Sequence, residues 1–97
     1  MKTVEKMKKI LAEHKENLMH TFNVREIGIF GSYVKNEQKR GSDIDILVDF
    51  KEPVGFFEFM ELEEYLESIF GKKVDLVSKK ALKPRIGEHI LKEVMYI

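Results

Sequence analysis

The sequence predicts a single mixed α+β (α/β) domain over residues 1–97, a small mixed β-sheet with helices packed against one face. Three observations predict it. Segments with helical spacing alternate with short segments of period two, in the order helix, strand, helix, strand, helix, strand, helix. The 97 residues are 43% hydrophobic and 35% charged, enough apolar content for one core and too short a chain for two. No repeat, low-complexity tract or Gly/Ser linker divides the chain.

The first helix is predicted from Thr3 to Phe22, where Val4, Met7, Leu11, Leu18 and Phe22 fall near helical spacing among Lys and Glu. Val24 to Phe30 (VREIGIF) is short, rich in β-branched residues and closed by Gly31, which marks a strand. Gly31-Ser32 then turns into a short helical segment, Tyr33 to Gln38, followed by the polar loop KRGS. Asp43 to Phe50 (DIDILVDF) places Ile44, Ile46, Val48 and Phe50 at every second position, a second strand. After a turn containing Pro53, Phe56 to Phe70 reads as a helix with Phe59, Leu62, Leu66 and Ile69 on one stripe and Gly71 as its C-terminal glycine. The Phe56, Phe57, Phe59 cluster is expected in the core. Lys73 to Val77 (KVDLV) is a third strand, and Pro84 opens a last helix with Ile86, Ile90 and Val94 as its buried stripe.

Composition excludes several classes. With no cysteine there are neither disulfides nor thiolate metal sites, which fits a reducing cytoplasm. The charged N-terminal stretch MKTVEKMKKILAEHKENL lacks the apolar core of a signal peptide, and no apolar run approaches the roughly 20 residues of a membrane span. A soluble, cytoplasmic protein is expected. Lys plus Arg (17) balances Asp plus Glu (17), so no net field favours strong nucleic-acid binding. The glutamates between residues 58 and 67 and the basic residues between 72 and 85 read as solvated faces or, alternatively, as a docking surface.

The chemistry sits in Gly31-Ser32, ten intervening residues, then Asp43-Ile44-Asp45. Residues two apart on a strand point to one face with Cα atoms roughly 6.6 Å apart, so the two carboxylates can converge. Two such charges about 5 Å apart at an effective dielectric near 20 repel by roughly 3 kcal/mol, a cost that a cation or proton removes. Hard oxygen ligands suit Mg²⁺. Asp43 alone could be a turn residue. Asp45 is harder to explain away, because a strand interior disfavours aspartate. Asp49 continues the same face near the strand end and is expected to face solvent. A glycine after a strand tolerates positive φ and close approach to a ligand, and Ser32 at a helix start offers either a phosphate site or an ordinary cap. Lys35, Lys39 and Arg40 lie between the two halves and could neutralise phosphate charge or simply be solvated.

The run FGSYVKNEQKRGSDIDILVDF resembles the signature of the DNA polymerase β-type nucleotidyltransferase superfamily, Gly-Ser, ten residues, Asp-x-Asp. Over nearly its whole length the chain is similar to the small stand-alone MNT proteins, antitoxin partners of HEPN-domain ribonuclease toxins. That resemblance implies a polymerase β-like fold and a third carboxylate from a later strand, at the position of Asp75 in KVDLV. It implies Asp43, Asp45 and Asp75 as catalytic and metal ligands for two Mg²⁺ ions, with Gly31, Ser32, Lys35 and Arg40 toward the phosphates of ATP. Lys35 stands where many relatives carry arginine, keeping the charge without the bidentate geometry. The activity implied is transfer of AMP to a hydroxyl, a tyrosine, of a cognate HEPN toxin. The alternative is a non-catalytic nucleotide-binding module that neutralises its toxin by occlusion. His14, His20 and His89 show no metal-ligand spacing and are assigned no chemistry, and Tyr33 reads as scaffold ahead of a base-stacking role.

Overall fold

The computed structural model describes residues 3–97. Its elements are α1 (Thr3–Glu13), α2 (Lys15–Thr21), β1 (Val24–Phe30), α3 (Ser32–Lys35), β2 (Ile44–Phe50), α4 (Phe56–Phe70), β3 (Val74–Ser78), a 3₁₀ turn (Lys79–Ala81), α5 (Pro84–Glu93) and β4 (Met95–Tyr96). The sheet runs β3-β2-β1-β4, antiparallel at β2/β1 and β1/β4 and parallel at β2/β3. The fold is the mixed α+β architecture expected.

The expected first helix is broken in two at His14. In a continuous helix the Ile10 carbonyl would accept the His14 backbone N–H. Instead that N–H turns to the Leu11 carbonyl at 3.1 Å, and the His14 ring nitrogen Nδ1 takes over Ile10 at 2.9 Å. Both halves still present their apolar stripe inward, with Val4, Met7, Leu11 and Leu18 buried. α3 stops after one turn because Asn36 adopts a left-handed conformation (φ 59°), where asparagine is better tolerated than most residues. At the end of α4, Gly71 (φ 67°) caps the helix as expected, its N–H bonding the Glu67 carbonyl.

The core lies between one face of the sheet and α1, α2 and α4. Ile27, Ile29, Ile44, Ile46, Val48 and Leu76 meet Val4, Met7, Leu11, Leu18, Leu62 and Leu66 there, all buried. Each full burial of a Leu or Ile side chain contributes roughly 2–3 kcal/mol. In β1 the inward residues are Val24, Ile27 and Ile29, which breaks strict alternation. A bulge between Val24 and Glu26 absorbs the extra residue.

Three expectations about burial fail. Phe56 and Phe57 are 72% and 78% exposed, and only Phe59 packs on the core. The period of α4 points Phe59, Leu62 and Leu66 inward, and Phe56 and Phe57 fall off that stripe. The stripe of α5 is not buried either. Ile86 is exposed, Ile90 and Val94 are half-buried, and no residue of α5 joins the core cluster. Asp49 is buried, because Arg25 from the bulge lies over it (Nη1 to Oδ2 3.7 Å). β4 was not foreseen, since two residues carry no periodicity. Among the described residues no helix is long and apolar enough to cross a membrane.

The charged stretches are partly built into the fold. Glu58 accepts the Gly55 N–H at the start of α4, and Glu67 accepts the Val74 N–H at 3.0 Å, tying α4 to β3. Lys79 pairs with Glu26 at 3.1 Å and lies over the Tyr96 ring.

Candidate active site

β2 presents Ile44, Ile46 and Val48 to the core, so Asp45 lies on the opposite face by strand alternation. β3 runs parallel beside it with Asp75 in register with Asp45. On its other side Asp45 pairs with Phe30, the residue before Gly31. The sheet therefore sets Asp75, Asp45 and the Gly-Ser turn side by side on one face. Neighbouring strands are about 4.8 Å apart, within the swing of two aspartate side chains. Asp43 is exposed at the mouth of β2, and Asp75 is exposed as well.

Gly31 is required twice over. Its backbone (φ 77°, ψ −149°) is a conformation essentially restricted to glycine. A Cβ there would also fall 2.0 Å from the Asp45 carboxylate oxygen. The Gly31 carbonyl receives the N–H groups of Val34 and Lys35 at 3.1 and 3.2 Å, which closes the single turn of α3. Tyr33 is buried in the core, its hydroxyl 3.4 Å from the Ser42 carbonyl, so it braces the loop leading to Asp43.

The electrostatics match a cluster of uncompensated acids. Burial pushes the Asp45 carboxyl above its ordinary range, the charges of Asp75, Asp43 and Glu93 push it further, and Lys35 offsets them only in part. All the donors are carboxylate oxygens, the chemistry that suits a hard divalent cation. The backbone brings these groups together while their side chains remain apart. Among the described residues no three acidic or histidine side chains are close enough to hold a metal ion as they stand.

Of the expected phosphate-binding residues, Gly31 and Ser32 form the turn beside Asp45, with Ser32 as the first residue of α3. Lys35 reaches the same place but is engaged, its Nζ 3.6 Å from Glu93. Arg40 is exposed on the loop and joins no ion pair among the described residues. Glu93 had no sequence signal. It accepts the Gly31 N–H at 2.9 Å, a contact between residues 62 apart in the chain. A glutamate ending an amphipathic helix looks like any solvated one until the fold returns it to the sheet.

A model of the nucleotidyltransferase domain matches residues 4–97, and the chain belongs to that family, in its minimal form. It is a nucleotidyltransferase. The protein adenylyltransferase MntA of Thermococcus cleftensis is 53% identical, covering all of this chain and 98% of the relative. A solved structure provisionally named a minimal nucleotidyltransferase superposes with a TM-score of 0.75 at 30% identity, over 92% of this chain and 93% of the other. A toxin–antitoxin crystal structure with AMP-PNP gives 0.72 at 26% identity, over 97% of this chain and 71% of the matched one.

Proposed function

We propose that this chain is a Mg²⁺-dependent protein adenylyltransferase antitoxin, transferring AMP from ATP to a tyrosine hydroxyl of a cognate HEPN toxin. The observation that carries the reading is the register of Asp75 with Asp45 beside the Gly31 turn. A strand register is a backbone property, and a one-residue slip would send Asp75 to the opposite face. The name of the 53% identical relative and the AMP-PNP in a structurally similar toxin–antitoxin pair support the nucleotide and the acceptor class.

On this reading Asp43, Asp45 and Asp75 would hold Mg²⁺, and the bound ion would supply positive charge to offset that of the triphosphate at the α-phosphorus under attack. Ser32 and the Gly31 amide would position the β- and γ-phosphates, and Lys35 would add a positive charge. Asp75 takes the proton of the attacking hydroxyl. The new bond joins that oxygen to the α-phosphorus, and the bond to the bridging oxygen breaks and releases pyrophosphate. The chain's own contribution is positioning and charge, which suffices for phosphoryl-type chemistry in a domain this small.

The test incubates the purified protein with labelled ATP, Mg²⁺ and the protein encoded beside it. The expected result is label on the partner and a mass increase of one AMP, both lost in Asp43→Asn. Toxin inhibition that survives Asp43→Asn with no label would establish occlusion instead. A labelled product formed without any partner would point to a small-molecule or RNA acceptor.

A further inference from the structure

Glu93 is the last residue of α5, and its side chain is only 15% exposed. It sits among acids, adding its own charge to those of Asp75 and Asp43 around Asp45. What holds it there is one hydrogen bond and one ion pair, the Gly31 N–H on Oε1 at 2.9 Å and the Lys35 ammonium 3.6 Å from Oε2, with His89 Nε2 farther off at 3.9 Å. The first two are the groups that the nucleotide reading assigns to phosphate.

We infer that Glu93 is an internal anion occupying the phosphate position, and that it sets the affinity for the triphosphate because it must leave before the phosphates enter. The inference rests on the nucleotide reading of the site. A carboxylate and a phosphate oxygen ask the same of an amide and an ammonium group. Both cannot hold them at once, and like charge makes the competition steeper. The exchange needs no large movement. Glu93 has three side-chain torsions with which to swing out, while Val94 and Met95 stay packed against Gly28. His89 is 73% exposed and leaves room on the solvent side.

The experiment is calorimetric titration of the full chain with Mg-AMP-PNP and, separately, with Mg-AMP, which has no β- or γ-phosphate. Glu93→Gln keeps an acceptor for the Gly31 amide but removes the charge. Glu93→Ala removes both. AMP-PNP should bind about three- to ten-fold more tightly to Glu93→Gln, the size expected for a partly screened competing charge, with AMP binding unchanged. In the wild type the Gly31 amide resonance should shift on adding AMP-PNP and stay put on adding AMP. Unchanged or weaker AMP-PNP binding to Glu93→Gln overturns the inference, and weaker binding would mean a brace or a metal ligand. If Glu93→Ala fails to fold, Glu93→Gln alone decides. If neither wild type nor Glu93→Gln binds AMP-PNP, the nucleotide reading falls, and this inference with it. Wild-type binding with no response at position 93 sinks this inference only.

Discussion

Asp45 and Asp49 occupy the same face of the same strand, four residues apart, and meet opposite fates. Asp49 is the more deeply buried and lies against Arg25, supplied by the bulge in β1. Asp45 is half-buried among three other carboxylates, with Lys35 already paired elsewhere. One aspartate is compensated by the fold, and the other is not, which is what the proposed metal site requires of it. Compensation, more than burial, separates a structural acid from a functional one.

The largest test of this contrast removes the functional acid. Asp45→Asn or Asp43→Asn should lower AMP transfer by on the order of 10³-fold with an unchanged circular dichroism spectrum. Asp49→Asn should leave transfer within a few-fold of wild type. A comparable loss in all three would dissolve the distinction. Next comes Gly31→Ala, where a forbidden backbone conformation and a clash with Asp45 should cost about 2–3 kcal/mol in urea unfolding. Arg25→Ala strands the Asp49 charge and should cost about 1 kcal/mol, an effect absent in the Arg25→Ala, Asp49→Asn double variant.

The smallest effect concerns pH. The Asp45 carboxyl lies above its ordinary value in the folded protein, so the native state binds more protons than the unfolded one in the window between the two values. Stability from this group is therefore present below the unfolded value near 3.8 and is lost as pH rises toward the raised one. Asp45→Asn should make the protein slightly more stable at neutral pH, by a few tenths of a kcal/mol after screening. Thermal melts at several pH values measure it. A variant less stable at neutral pH would show that Asp45 is compensated after all.

Much of this is legible in the sequence itself. The Gly-Ser turn and Asp-x-Asp are local patterns, and strand alternation alone places Asp45 on the face away from Ile44 and Ile46. Asp75 became readable only through resemblance, because nothing in KVDLV reveals which strand it will join. Glu93 was invisible, since its partner Gly31 lies 62 residues away. Apolar spacing also says which residues of a helix share a side without saying whether anything covers that side. The expected burial of Ile86 and Phe57 fails for that reason. The burial of Asp49 hinged on a bulge one residue long, a feature that alternation cannot announce.

The parallel pairing of β2 and β3 makes the length of one loop matter. Parallel neighbours need a crossover, here α4, and the three residues Gly71 to Lys73 that follow it meter where β3 begins. Deleting one of them would leave every acidic residue in the gene and yet turn Asp75 toward the helices. On the proposed function the length of that loop matters to activity as the acids do, because Asp75 stays in register with Asp45 only while β3 begins where it does.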